Sequence, residues 1–106
     1  MRGPYLLRPF QVDLSVPAHV GGIFGLGKSP REIRVIGSAP RNLRDAIKAN
    51  WKLYEFFWYK PALSVRECYQ LTCREYHKHM NNGGLDKTEH PDIPPGVDVK
   101  CPICGK

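Results

Sequence analysis

Apolar and polar residues alternate from Phe10 to Val16 (Phe10, Val12, Leu14, Val16), the period of a half-buried strand, and Pro17 ends the run. Gly21, Gly22, Gly25 and Gly27 predict a flexible turn region, after which Glu32–Ile36 has the make-up of a second short strand. From Ser38 the period lengthens. Leu43, Ala46, Ile47, Leu53, Tyr54 and Phe57 fall on one side of a helix, while Arg41, Arg44, Asp45, Lys48, Lys52 and Glu55 fall on the other. Pro40 suits the opening turn of that helix, and Lys60-Pro61 ends it. Asn50 interrupts the apolar side, so its amide needs a hydrogen-bond partner. A second helix starts at Ser64-Val-Arg-Glu67, a capping box in which the hydroxyl and the carboxylate each take up a free backbone N–H. It runs to about Met80, where Asn81-Asn82-Gly83-Gly84 offers a left-handed stop. Residues 85–99 are Pro-rich and show no period.

This pattern predicts a mainly α fold with an extended N-terminal arm. Two short helices cover about 39–60 and 65–80, short β segments cover 10–16 and 32–36, and a zinc knuckle closes the C-terminus. The chain divides into a basic arm, 1–37, and a helical hairpin with its zinc-knuckle clip, 38–106.

Composition changes the picture in one respect. The chain has 106 residues, 10 Gly and 10 Pro, so a large core or a sizeable catalytic domain is hard to accommodate. It has no apolar run of about 18 residues that would cross a membrane as a helix. Its net charge of +6 lies wholly in residues 1–60, which hold ten Lys and Arg against four acids, while residues 61–106 hold six of each. Lys28, Arg31, Arg34, Arg41, Arg44, Lys48 and Lys52 form a basic stretch, and Arg41 and Arg44 oppose the dipole at the start of their expected helix. These seven are the candidate contacts to an anion or partner, either anionic lipid, RNA or an acidic protein surface.

The sharpest chemical signal is Cys101-Pro-Ile-Cys104-Gly105-Lys106. C-x-x-C followed by Gly has the shape of a zinc knuckle, in which two thiolates meet one ion and the glycine lets the backbone turn N–H groups toward sulfur. A tetrahedral site needs two further ligands. Cys73 and His77 stand four apart on one helix face, so the expected metal set is Cys73, His77, Cys101 and Cys104. Cys68 in place of His77, or His79 or His90, are the alternatives. Four protein ligands leave no position for substrate water, which argues against metal catalysis.

Gly22-Ile-Phe-Gly-Leu-Gly27-Lys28-Ser29 matches a phosphate-binding loop literally, but it lacks the strand before it, the helix after it and a downstream acid for magnesium. Trp51–Tyr59 holds six aromatics in nine residues, more than one helix can bury in so short a chain. No catalytic constellation appears. These features predict a non-catalytic, zinc-stabilised accessory subunit of a large mitochondrial inner-membrane complex, either of the respiratory chain or ATP synthase. It would sit at the membrane periphery, held by other protein subunits, with anionic lipid contact and no small-molecule substrate. The alternative is a structural, RNA-contacting protein of the mitochondrial ribosome.

Overall fold

The computed structural model of the chain describes residues 1–81, 84–86 and 90–105. Four strands, β1 (Arg2–Leu6), β2 (Gly21–Gly27), β3 (Val35–Ala39) and β4 (Phe56–Ala62), form one antiparallel sheet in the order β1-β4-β2-β3. Three helices, α1 (Pro9–Ser15), α2 (Leu43–Lys48) and α3 (Val65–Asn81), complete it. The fold is therefore a small α/β one. The expected mainly α fold is contradicted, and each departure has a local cause.

In place of the strand expected over 10–16, Pro9–Ser15 form a helix with Val16 as its C-cap. Period-2 spacing also contains i, i+4 pairs, and α1 uses one of them, burying Val12 and Val16 while Phe10 and Leu14 stay 74% and 67% exposed. Pro9 sits in the opening turn, where its missing N–H costs nothing. The expected strand at 32–36 is displaced to Val35–Ala39. The expected N-terminal arm is also in the sheet, as β1 pairs with β4 through Tyr5↔Phe57 and Leu6↔Phe56.

The glycine-rich segment is the central strand rather than a turn. β2 pairs with β3 from Gly22↔Ala39 to Leu26↔Val35 and with β4 from Gly21↔Ala62 to Gly27↔Phe56. At Gly22 a Cβ would collide with the Lys60 carbonyl of β4, so the absent side chain permits the close approach. The backbone of this segment is committed to two ladders, which removes it as a phosphate loop.

The helix expected over 39–60 is only six residues long. Asn42 caps it by accepting from the Asp45 N–H at 3.2 Å, and turns at Asn50, Trp51 and Leu53 follow. Asn50 finds its partner within the chain, donating from Nδ2 to the Ala46 carbonyl at 2.9 Å. Phe56-Phe-Trp-Tyr59 then enters the sheet as bulky, β-favouring residues. Pro61 is tolerated in this inner strand because β1 reaches only as far as Tyr59, so its missing N–H leaves no ladder incomplete.

The sheet buries both faces. Phe24, Leu26, Phe57 and Tyr59 pack with Leu7, Val12 and Val16 and with Leu43 and Ile47 of α2. The Tyr59 hydroxyl donates to the Ser15 carbonyl at 2.6 Å. α3 crosses the other face, chiefly over β3. It starts as expected: the Glu67 N–H donates to Ser64 Oγ at 3.0 Å, and Glu67 Oε1 accepts from the Leu63 N–H at 3.2 Å. The left-handed stop expected over residues 81–84 includes Asn82 and Gly83, which lie outside the described residues.

Arg44 opposes the dipole of its own short helix but completes another. Its guanidinium donates to the Val16 carbonyl at 2.7 and 2.9 Å and to the Asp13 carbonyl at 3.0 Å, taking up the free carbonyls at the C-terminal end of α1. Arg44→Gln is expected to lower the unfolding free energy by about 1.5–3 kcal/mol, the range for hydrogen bonds to a charged group. Urea denaturation checks this, and an unchanged midpoint would contradict the capping role.

Candidate metal centre

α3 carries Tyr69, Cys73 and His77 at four-residue intervals, one turn apart on one face. Opposite them, Val97, Val99 and Cys101 alternate along the extended tail. Tyr69, Cys73, Val99 and Cys101 bury one another in a second small core, with Val97 at its edge. That packing brings the C-terminal cysteines to the helix. The Tyr69 hydroxyl is buried there beside the Cys73 sulfur.

The ligand atoms of His77, His90, Cys101 and Cys104 all lie within 4.8 Å of one another. His77 Nε2 is 3.4 Å from Cys101 Sγ, and His90 Nε2 is 3.3 Å from Cys104 Sγ. A tetrahedral ion with bonds of zinc length holds its ligand atoms about 3.3–3.8 Å apart, so both separations are close to edges of such a tetrahedron. These four residues are positioned close enough to hold a metal ion.

Local chemistry orients each donor. His90 donates from Nδ1 to the Pro91 carbonyl at 2.9 Å, which leaves Nε2 free toward the centre. The Tyr76 ring meets both imidazoles edge-on, with centroids 5.2 Å from His77 and 5.4 Å from His90. Gly105 adopts φ +75°, and its N–H donates to the Cys101 carbonyl at 2.9 Å, the turn that closes the knuckle.

The buried thiols of Cys73 and Cys101 are shifted in opposite directions. Burial pushes the Cys73 thiol up to about 12, with Cys101 and Cys104 adding to the rise. Burial acts on Cys101 in the same direction, but the Cys104 and Ile103 N–H groups, His90 and Cys73 bring it down to about 5. A lowered thiol favours the native state above the thiol's unfolded pKa of about 8.5. That contribution fades as pH falls toward 5. In metal-free protein, acidification from pH 9 to pH 5 is therefore expected to reduce the urea midpoint more for the native chain than for Cys101→Ser. Equal slopes would contradict the thiolate at Cys101.

Of the expected metal set, the structure brings together His77, Cys101 and Cys104, with His90 beside them. Cys73 lies against Cys101 but outside the cluster. Cys68 is buried but belongs to neither the second core nor the cluster, and His79 pairs with Glu75 at 3.4 Å. The signal for the tail's placement was present in Val97-x-Val99-x-Cys101, an alternation facing the helix.

The basic stretch is partly neutralised within the chain. Arg34 contacts Glu32 at 2.6 Å and Asp86 at 2.8 Å, and Lys48 contacts Asp13 at 3.0 Å. With Arg44 turned onto α1, the exposed members are Lys28, Arg31, Arg41 and Lys52, the last with its Nζ 5.2 Å above the Trp51 ring. β4 buries Phe57, Trp58 and Tyr59, so the sheet takes up half of the six aromatics of residues 51–59, while Trp51 stays exposed. Among the described residues, no helix is long and apolar enough to cross a membrane. No family model, curated protein or solved structure matches this chain.

Proposed function

We propose that this protein is a zinc-stabilised, non-catalytic binding module that works as a subunit of a larger assembly. The carrying observation is the convergence of His77, His90, Cys101 and Cys104 within 4.8 Å, two soft and two borderline donors in a set that suits zinc. With all four positions of a tetrahedron filled by protein, the ion has no open position for substrate, and its work is to tie the tail to α3. Exposed Phe10, Leu14, Leu53 and Leu63 support a chain held by neighbours. The host is read by a native gel, where the chain migrates either with a detergent-solubilised membrane complex or with ribosomal RNA.

The direct test is metal analysis of purified protein. About one zinc per chain is expected, and chelation should open residues 90–105 to protease while residues 1–81 stay resistant. A metal-free preparation whose tail remains protected would overturn the reading.

A further inference from the structure

Cys101 has two sulfur neighbours where the tail meets α3. One is Cys104, which is exposed and whose Sγ lies within 4.8 Å of the Cys101 Sγ. The other is Cys73, which is fully buried on α3 and meets Cys101 side chain to side chain within the second core. The four clustered residues include Cys101 and Cys104 and leave Cys73 beside them as a free thiol. Packing against Val97 and Val99 asks only for a small apolar side chain at that position, so the sulfur adds reactivity that the core does not need. Cys68 belongs to neither group, which leaves three thiols in reach of one another.

We propose that Cys73 is the resolving thiol of a redox switch at this centre: oxidation by a peroxide ends in a Cys73–Cys101 disulfide, which takes the ion's place in tying the tail to α3. Two disulfides are open to Cys101. A bond to Cys104 closes only the short turn of the knuckle and joins no two elements. A bond to Cys73 closes the long loop between α3 and the tail, and a cross-link constrains the unfolded chain more as its loop grows. It also joins two side chains that already pack together.

The exposed sulfur is the point of entry. The Cys104 thiolate attacks hydrogen peroxide: an S–O bond forms, the O–O bond breaks, hydroxide leaves, and Cys104 becomes a sulfenic acid. The Cys101 thiolate then displaces a second hydroxide from that sulfur, forming S–S as S–O breaks. Cys73 gives its proton to one hydroxide and attacks the Cys101 sulfur, so the new disulfide forms as the Cys104 thiolate departs. One peroxide is reduced to one water and one hydroxide, and the two sulfurs of the final disulfide together lose two electrons. With Cys101 oxidised, the ion loses a ligand and is released. That release rests on the zinc reading, whereas the disulfide rests on the sulfur contacts alone.

The test titrates the reduced, zinc-loaded full chain with hydrogen peroxide while a chromogenic chelator reads free zinc. The product is then alkylated in denaturant, and its disulfides are mapped by mass spectrometry. The proposal expects release of about one zinc per chain, a Cys73–Cys101 linkage, and alkyl label on Cys68 and Cys104. Residues 90–105 of the oxidised chain should be cut by protease no faster than in the zinc-loaded chain, whereas chelation under reducing conditions should speed cutting at least about tenfold. Dithiothreitol with zinc should restore the starting state. Cys73→Ala should still release zinc to peroxide, but it should end as Cys101–Cys104 with an open tail, and Cys68→Ala should behave as the native chain does. The disulfide map of the unsubstituted chain stands even where a variant fails to fold. A native chain that ends as Cys101–Cys104, or that releases zinc with Cys73 still alkylated, would overturn the switch and leave the zinc reading intact. A chain that binds no zinc yet forms Cys73–Cys101 would uphold the disulfide and sink the zinc reading.

Discussion

Cys101→Ser is expected to abolish stoichiometric zinc binding, with a loss in affinity greater than about 100-fold against a competing chelator. Outer-shell partners of a metal are worth about 10–100-fold, and a thiolate ligand is worth more. Cys101 is singled out because it is almost fully buried, sits 3.4 Å from His77 Nε2 and receives the Ile103 and Cys104 N–H groups. The neighbouring residues order the series. His90→Ala should behave like Cys101→Ser. Cys73→Ala should cost only the outer-shell range, since its sulfur touches Cys101 without joining the four. Cys68→Ala should keep the metal. A zinc-free His90→Ala beside an unaffected Cys73→Ala would fix His90 as a ligand, and the reverse result would restore Cys73 to the set. Because apparent binding energies of structural zinc sites are on the order of 10 kcal/mol, loss of the ion should also appear as a large fall in the melting temperature of the zinc-loaded sample.

The second large effect is expected at Phe57. Its side chain is fully buried between β4 and the layer of α1 and α2, with ring centroids 5.3 Å from Tyr5 and 6.4 Å from Tyr59. Phe57→Ala should cost about 3–5 kcal/mol, against a total stability of about 5–15 kcal/mol for a domain of this kind. Urea titration followed by circular dichroism should show a strongly lowered midpoint or an unfolded chain. Leu63→Ala, at a position 96% exposed, serves as the control and should stay within about 0.5 kcal/mol. A small effect at Phe57 would contradict its place at the centre of the core.

These two residues also mark what the sequence disclosed and what it hid. Cys101 and Cys104 announced themselves because spacing and glycine carry the chemistry of a knuckle locally. The start of α3 was legible for the same reason, as Ser64 and Glu67 satisfy the first turn without help from the rest of the chain. Phe57 was misplaced because the apolar side of residues 43–57 fits a helical wheel, and only pairing with Leu26 and Tyr5 reveals a strand. The glycines of β2 misled in a similar way. Their absent side chains, read as freedom to turn, instead admit neighbouring backbones. His90 belongs to the cluster through a fold-back of the tail, which no residue spacing within a single element encodes.

The strand order has a consequence for how the molecule assembles. β4 lies between β1 and β2 although it follows both in the chain by roughly thirty residues or more. Only the β2–β3 hairpin closes locally. Until residues 56–62 are available, β1 has no partner and β2 is open on one side, so folding of the sheet waits on the last strand to be made. Such non-local closure slows folding and exposes unpaired edges in the interval. During synthesis this chain remains incomplete for more than half its length, and a substitution in β4 that slows pairing prolongs that exposed interval before it alters the finished fold.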